Sequence, residues 1–95
     1  MTDSTYELVK NESKGQYEIH VGDTVAGFAT YSDRGGSRVL PHTVVEDEFR
    51  GQGLSKPLIK FALDDARSDG LKVIPSCPAV AGYIEKNPEY RDLVA

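Results

Sequence analysis

The hydrophobic pattern of the chain changes its period near residue 50, and no other feature of the sequence restricts the fold as much. Before that point apolar and polar residues alternate, as at Tyr17, Ile19 and Val21, which is the period-2 pattern of a half-buried strand. After it, apolar residues recur at the spacing of an amphipathic helix. These residues are Leu58, Ile59, Ala62, Leu63 and Ala66. We therefore expect a strand-rich first half and a helix-rich second half.

Turn residues divide both halves into elements. Gly22-Asp23 favours an antiparallel hairpin, Pro41 predicts an irregularity in the fourth strand because it lacks an N–H, and Gly70 is suited to ending the first helix. The predicted elements are strands over 6–9, 16–21, 24–32 and 38–45, a helix over 55–69, a strand over 71–76 and a helix over 79–87. This order, β-β-β-β-α-β-α, indicates an α/β fold of the α+β type with a mixed sheet.

Length and charge limit the number of domains and the class of partner. The 95 residues fit a single domain, residues 1–95. The net charge of −4 disfavours attraction to nucleic acid or to an anionic membrane surface. No apolar stretch approaches the ~18 residues that span a bilayer and the start does not resemble a signal peptide, so we expect a cytoplasmic protein. The single cysteine, Cys77, has no second thiol for a disulfide or a structural zinc site, and no metal is predicted.

Two glycines one residue apart, Gly51 and Gly53, precede the first predicted helix. One interpretation is a strand-to-helix turn whose backbone angles are closed to other residues. The other is a phosphate cradle, because a chain without Cβ atoms can lie against an anion and the first amides of a helix point at it. A strand-loop-helix-strand unit is a common anion site, and this context favours the cradle.

The segment RGQGLS, from Arg50 to Ser55, resembles the Arg/Gln-x-x-Gly-x-Gly/Ala pyrophosphate loop of the GNAT acyl-coenzyme A N-acyltransferases. It follows a strand ending in Val44-Val45, as the family's loop follows a strand. Other segments resemble the minimal, single-domain branch of this superfamily. They are HTV (42–44), FRGQG (49–53), GLKV (70–73), PSCP (75–78) and NPEY (87–90). The likeness covers most of residues 38–95, whereas the first 37 residues match only in strand order.

The resemblance implies a mostly antiparallel sheet that is splayed between its fourth and fifth strands at the acyl-coenzyme A (acyl-CoA) site. It implies acetyl-CoA as acyl donor, with its pantetheine arm on the backbone of Val44 and Val45 and its pyrophosphate on the amides of residues 50–56, the glycine loop. The loop residues are Arg50, Gly51, Gln52, Gly53, Leu54, Ser55 and Lys56. Ser55 stands where the branch usually has glycine, and its hydroxyl is suited to capping the helix or to binding a phosphate oxygen. Pro57 is a second departure and removes one amide donor.

Cys77 has two interpretations. An isolated cysteine is commonly a small buried hydrophobe. Here Pro78 is suited to the first helical position, which places Cys77 at or beside the N-cap, where the partial positive charge of the helix favours the thiolate. The resemblance points to the same residue as a suspected nucleophile, which would form an acyl-cysteine. The rival mechanism is direct attack by the amine, with Cys77 lining the pocket or protonating the departing thiolate.

Other charged and polar residues carry weaker assignments. His42 is our preferred general base, because an amine must lose a proton and imidazole titrates near neutral pH, although a lone strand histidine is more often structural. Arg50 either neutralises a phosphate or pins the loop. Lys56 either meets the nucleotide or is solvated. His20 is expected at the surface.

The sequence thus predicts an acetyl-CoA-dependent N-acetyltransferase. Its acceptor is an amine on a small molecule or a protein, and it acts as a monomer or a weak homodimer without nucleic acid or membrane. One alternative is a module that binds CoA or acyl-CoA without turnover. The other is a protein-interaction domain whose glycine loop is only a turn. The acidic cluster over residues 46–48 is either a solvated turn or attracts a cationic amine.

Overall fold

A computed structural model describes residues 6–95 as seven strands, two α-helices and two short 3-10 helices. The strands are β1 (Glu7–Asn11), β2 (Gln16–Val21), β3 (Thr24–Thr30), β4 (Ser32–Arg34), β5 (Ser37–Val39), β6 (Thr43–Val45) and β7 (Lys72–Ile74). The α-helices are α1 (Ser55–Ser68) and α2 (Pro78–Lys86), and the 3-10 helices cover Asp47–Phe49 and Pro88–Leu93. The predicted order of strands and helices is confirmed. The fourth predicted strand is divided into β5 and β6, and an additional short strand, β4, begins at Ser32, the last residue of the third predicted strand, and extends beyond it.

The seven strands form two sheets. The first sheet has the order β1-β2-β3-β6 and is antiparallel throughout. The second has the order β4-β5-β7, in which β4 and β5 are antiparallel and β5 and β7 are parallel. Helix α1 packs against strands of both sheets, with all five apolar residues of its predicted face buried. The fold is therefore the expected mixed α/β arrangement.

The division of the fourth predicted strand falls at Pro41, where the sequence predicted an irregularity. Its first part, β5, pairs with β7, and the N–H of Leu40 extends this ladder by donating to the carbonyl of Ile74 at 3.1 Å. Both peptide groups of Leu40 bond toward β7, with Ile74 and Cys77, whereas the carbonyl of His42 accepts from Thr30. The chain thus changes partner across Pro41, which has no N–H that this irregularity could leave unpaired. Among residues 6–95, β6 pairs with β3 alone. The third predicted strand breaks at the same level, where the N–H of Thr30 donates to the carbonyl of His42 at 3.0 Å. The chain thus passes from one sheet to the other twice, between β3 and β4 and again between β5 and β6.

Where the chain passes from one sheet to the other, a gap opens between β6 and β7. We call residues 40–43, at the start of this gap, the fork. Strands β5 and β7 run side by side up to the fork, and beyond it the chain continues as β6, which pairs with β3 and not with β7. The predicted splay between the fourth and fifth strands is confirmed. Among residues 6–95, the edge of β6 that faces away from β3 pairs with no strand, and we call it the free edge of β6.

The helix ends follow the sequence signals. Helix α1 ends before Gly70, whose φ is 72°, and the N–H of Leu71 donates to the carbonyl of Ala66 at 2.9 Å. Helix α2 begins at Pro78, with Cys77 as its N-cap residue. Both predictions are confirmed.

The C-terminal residues pack on the second sheet, an outcome that the sequence left open. The 3-10 helix over Pro88–Leu93 buries Tyr90 and Leu93. Val94 forms a parallel bridge with Val73, and the N–H of Ala95 donates to the Val73 carbonyl at 2.9 Å. The outer edge of β7 is thereby paired.

A buried guanidinium joins the two sheets to α1. The side chain of Arg38, on β5, is 4% exposed. Its Nε donates to Asp33 Oδ1 at 2.6 Å, and its Nη1 donates to Tyr17 Oη at 2.8 Å and to Asp65 Oδ2 at 3.0 Å. Strands β2, β4 and β5 and helix α1 therefore meet at one cation. Burial and the bond to Asp65 raise the pKa of Tyr17, which keeps its hydroxyl protonated.

Further contacts complete this group of charges. Lys10 Nζ lies 2.8 Å from Asp65 Oδ2 and 3.4 Å from Asp69 Oδ2, and Arg38 Nη2 lies 3.1 Å from Asp69 Oδ2. The guanidinium stacks on Tyr31 with 4.8 Å between its Cζ and the ring centroid. Each buried charge has an opposite partner, as burial requires. We call these residues the Arg38 cluster.

The sheet face opposite α1 carries a second buried charge. Glu18 is 4% exposed and accepts hydrogen bonds from Asn11 at 3.0 Å and Gln16 at 2.7 Å. His20 Nε2 lies 2.7 Å from its other oxygen. These bonds, that of His20 foremost, lower the pKa of Glu18. His20, expected at the surface, is therefore half-buried and has a structural partner.

We predict that Arg38→Met destabilises the fold by about 3 kcal/mol, since removing one partner of a buried ion pair leaves uncompensated carboxylates. The value is at the lower end of that range because Asp33 and Asp69 are partly exposed and can rehydrate. Urea unfolding followed by circular dichroism measures the change. Arg34→Met, at an exposed position of β4, is the matched control. Equal unfolding free energies for the two variants would contradict the prediction.

Candidate functional site

The fork positions the only cysteine of the chain. Cys77 lies at the N-cap of α2, and its N–H donates to the carbonyl of Leu40 at 3.1 Å. The residue is 7% exposed. The side chain of Thr43, the last residue of the fork and the first of β6, faces the thiol. The thiol thus lies where β6 and β7 separate.

Polar neighbours make this thiol more acidic than usual. Burial raises the pKa of Cys77, but the Thr43 hydroxyl and the amides of Val80, Ala79 and Thr43 outweigh burial, and the pKa lies below its ordinary value. The Thr43 oxygen is itself buried without a hydrogen-bond partner of good geometry among the described residues. The Thr43 hydroxyl is thus a polar neighbour of the Cys77 Sγ and can rotate toward it. The arrangement favours a thiolate.

The pairing of β6 decides which of its peptide groups face the cleft. Thr30 donates to His42, and Glu46 donates to Ala26 at 2.8 Å, so hydrogen-bonded pairs alternate with non-bonded ones between these two bonds. Phe28 lies opposite Val44 in this register, which makes them a bonded pair. The peptide groups of Thr43 and Val45 consequently point away from β3.

Among the predicted pantetheine contacts, Val45 therefore presents its peptide groups on the free edge of β6. Those of Val44 point toward β3, and its side chain is 39% exposed. Thr43 also presents its peptide groups at this edge and was not among the predicted residues. The period-2 alternation of a strand could have indicated Thr43, but only once the pairing partner was known.

The glycine loop has the backbone angles that its sequence predicts. Gly51 has a φ of 84° and Gly53 a φ of 72°, a region that residues with a Cβ rarely adopt. A Cβ on either glycine would meet nothing within 4 Å. The glycines thus form the expected turn, and the side on which a Cβ would project is open. Both interpretations of the pair fit this geometry.

The N-terminus of α1 lacks a side-chain cap. The N-cap residue is Leu54, which makes no capping bond with its side chain and is 3% exposed, so it offers only backbone to a ligand. Ser55 is the first helical residue, and capping by its hydroxyl, one of two predicted roles, is not observed. Among residues 6–95, no backbone acceptor serves the amides of Gly51, Gly53 or Ser55. These amides are available to an anion.

A cavity of about 600 Å³ lies between the first turns of α1 and one face of α2. Its wall contains Pro78, the residue after Cys77, and Ser55 and Lys56 of the glycine loop. The lining residues are Ser55, Lys56, Ile59, Pro78, Ala79, Gly82, Tyr83, Lys86 and Asn87. The α2 side of this wall was not predicted as part of the site, although its residues recur at helical spacing along one face.

Three predicted residues lie at exposed positions. His42 lies in the fork rather than within a strand, because the chain is irregular around Pro41. Arg50 is 73% exposed, and its Nε lies 3.2 Å from Asp47 Oδ1. Lys56 is exposed at the cavity wall. The ion pair of Arg50 fits its predicted role of pinning the loop without excluding contact with a phosphate.

Within residues 6–95 no group of three or more His, Cys, Asp or Glu side chains is arranged to hold a metal ion. In the same range, neither α-helix is long and apolar enough to cross a bilayer.

Comparison with known proteins identifies the family. Residues 16–93 match the family model of GCN5-related N-acetyl-transferases. The chain belongs to this family. A GCN5-like protein from Staphylococcus aureus, solved by NMR in solution, superposes on this family member with a TM-score of 0.72 and 28% sequence identity. The alignment covers 94% of this chain and 87% of that protein.

Curated relatives of this N-acetyltransferase family member share shorter segments. Protein NATD1 of Xenopus tropicalis is 41% identical over 49 residues, which are 52% of this chain and 45% of the relative. Protein NATD1 of Homo sapiens is 40% identical over 55 residues, which are 56% of this chain and 49% of the relative. The chain thus aligns with about half the length of the curated relatives it matches.

We predict that Thr43→Val raises the pKa of the Cys77 thiol, because valine keeps the shape of threonine but removes the hydroxyl that favours the thiolate. The rate of iodoacetamide alkylation against pH measures this pKa, and its inflection should move to higher pH. Thr30→Val is the matched control, since its hydroxyl is also buried without a partner. An unchanged inflection in Thr43→Val would show that the hydroxyl does not act on the thiol.

Proposed function

We propose that the protein binds acetyl-CoA and transfers its acetyl group to an amine. One observation carries the proposal: a single cavity is lined both by Pro78, the residue after the acidic thiol of Cys77, and by Ser55 and Lys56 at the uncapped start of α1. An acyl-CoA needs a polar centre near its thioester and an anion site near its diphosphate. Both features adjoin this cavity, within a chain of the N-acetyltransferase family.

The glycine loop is the proposed diphosphate site. Its free amides and the positive end of the α1 dipole favour negative charge. Pro57 contributes no amide, so the loop acts with the donors that precede it. Arg50 and Lys56 add positive charge beside these donors. The peptide groups of Val45 at the free edge of β6 are placed to pair with the amide groups of the pantetheine arm, in the manner of an added strand.

Two mechanisms of acetyl transfer are compatible with this binding mode. In the covalent route the Sγ of Cys77 attacks the thioester carbon, the bond to the CoA sulfur breaks, and CoA leaves as a thiolate that takes up a proton. The unprotonated amine then attacks the acyl-cysteine, the C–Sγ bond breaks, and the surplus amine proton passes to a base. In the direct route the amine attacks the thioester itself, the bond to the CoA sulfur breaks, and Cys77 gives a proton to the departing CoA thiolate. The surplus amine proton passes to a base, which returns it to Cys77.

His42 is the proposed base in both routes. It lies in the fork, one residue before the threonine that faces the thiol, and its side chain is exposed to an incoming amine. An amine on a small molecule or on a protein meets these requirements equally. Transfer assays across polyamines, amino acids and lysine peptides would distinguish the two acceptor classes.

We predict that Gly53→Ala weakens CoA binding about tenfold, because a left-handed backbone costs a residue with a Cβ roughly 1–2 kcal/mol and the loop would leave its present conformation. Isothermal titration calorimetry with CoA measures the dissociation constant. Gly36→Ala is the control, since Gly36 has no positive φ and its Cβ would meet nothing within 4 Å. Equal affinity of the two variants would reject the cradle. If the wild-type protein does not bind CoA, the protein-interaction alternative is favoured.

The covalent route predicts that intact-protein mass spectrometry, after brief mixing with acetyl-CoA, detects one added acetyl group. The group should map to Cys77 and disappear when an acceptor amine is added. Cys77→Ala should then lose transfer while keeping CoA affinity, because the loop is unchanged. Turnover by a protein whose Cys77 stays unmodified would exclude the covalent route. CoA binding without any transfer would favour the non-catalytic module.

A further inference from the structure

The first sheet has one covered face and one open face. Helix α1 packs on the covered face, where Tyr17 and Ile19 are fully buried. The register of β1, β2, β3 and β6 places the alternate residues on the other side of the sheet. We call this side, which carries Glu18, Phe28 and Val44, the open face. An antiparallel sheet face that is left to water is ordinarily polar.

The open face instead holds most of the exposed apolar side chains. Within residues 6–95, the large apolar residues that are more than a third exposed are Tyr6, Val25, Val44 and Val94. Val25 lies opposite His20 on the open face, and Val44 belongs to the same face. Tyr6 shares a small cavity with His20. Clustered exposed apolar side chains indicate an interaction surface, whereas scattered ones do not.

The carboxylates of the open face have no Lys or Arg beside them. Glu7 and Glu18 lie on this face, and the alternation of the strand puts Glu46 on the same side, directly after β6. The described strands of this sheet place no Lys or Arg there, because Lys10 points to the covered face and pairs with Asp65. Glu18 is almost fully buried, yet its hydrogen-bond partners are two amides and an imidazole. A basic occupant would offset these negative charges.

A cavity of about 230 Å³ lies at the border of the open face, and we call it the Tyr6 cavity. Its lining residues are Tyr6, Glu7, His20 and Gly22. An aromatic ring attracts a cation over its face, and a carboxylate attracts it by charge. The Tyr6 cavity is therefore suited to the end of a Lys or Arg side chain.

We propose that the open face binds a basic, extended segment of another protein, with one Lys or Arg side chain in the Tyr6 cavity. Apolar and acidic side chains are interspersed over four strands, so the occupant needs both apolar and basic groups, which a peptide segment provides. Nucleic acid and an anionic membrane have the wrong charge. The inference goes beyond the proposed function, since binding of such a segment requires neither CoA nor acetyl transfer.

Two other occupants match the surface less well. Joining the open faces of two copies of this chain would bring carboxylates together, and like charges across an interface are unfavourable. The chain's own residues 1–5, MTDST, contain no Lys or Arg to complement the acidic face. A separate basic segment meets both the charge and the apolar requirement.

NMR titration of the isotope-labelled full chain with two synthetic peptides tests the proposal. The basic probe is a nonapeptide of three Lys-Val-Ser repeats, and its acidic twin has Glu in place of each Lys. The basic probe should shift the amide signals of open-face residues, Val25 and Phe28 among them, at millimolar concentration or below. The acidic twin should leave these signals unchanged, because its charge has the same sign as the face.

Charge reversal on the open face provides the matched variant. The double variant Glu7→Lys, Glu46→Lys should weaken binding of the basic probe about tenfold, because like charges then meet. The control is Glu85→Lys, Glu89→Lys, which makes the same change of net charge at exposed positions on α2 and the C-terminal 3-10 helix. The control should bind as the wild type does. Equal affinity of the two double variants would overturn the proposal.

The apolar part of the surface has its own test. Val25→Ser should weaken the basic probe severalfold, whereas Val94→Ser, which removes an equally exposed valine away from this face, should not. If the two serine variants bind alike, the valine of the open face does not contact the segment and the proposed surface is wrong.

The remaining outcomes identify other occupants. Signals of the open face that move with protein concentration alone would assign it to a second copy of the chain, against the proposal. Spermine that shifts the same signals as strongly as the basic probe would replace the protein segment with a small polyamine. No shift with the basic probe at millimolar concentration, or shifts confined to the glycine loop, would reject the surface. A chain that binds the probe on this face but does not bind CoA would keep this inference while the proposed function fails.

Discussion

The change of partner strand at Pro41 is the constraint from which the cleft follows. One stretch of chain pairs with β7 as far as Leu40 and from His42 onward pairs with β3 instead. The free edge of β6, the separation of β6 from β7 and the position of the Cys77 thiol all begin there. A continuous sheet at this point would pair the peptide groups of Thr43 and Val45 with a neighbouring strand and leave no cleft.

The Arg38 cluster holds together the elements on either side of the fork. One guanidinium, on β5 of the second sheet, contacts β2, β4 and α1. The contacts are charge-assisted and the guanidinium itself is buried, so their directions are specified more strictly than apolar packing would require. Helix α1 is thereby fixed relative to both sheets. Its N-terminus, and with it the glycine loop, keeps a defined position beside the cavity.

Local signals in the sequence predicted the local features well. The glycine φ angles, the end of α1 at Gly70 and the start of α2 after Cys77 depend on neighbouring residues, and all agree with the structure. Features that depend on distant residues were beyond the sequence. Arg38 and Asp65 are 27 positions apart, and no periodicity pairs them. The orientation of Val44 required the register with β3, and the α2 wall of the cavity required the packing of two helices.

The solitary thiol has a consequence for experiments on motion. Cys77 is the only cysteine in the 95 residues, and it lies at the branch point of the strands. A small trifluoromethyl tag attached to its sulfur would give a single fluorine resonance without background from any other position. Because the sulfur is almost enclosed, that resonance would respond to opening and closing of the two sheets. The same atom that is suited to chemistry is thus a built-in site for a spectroscopic reporter.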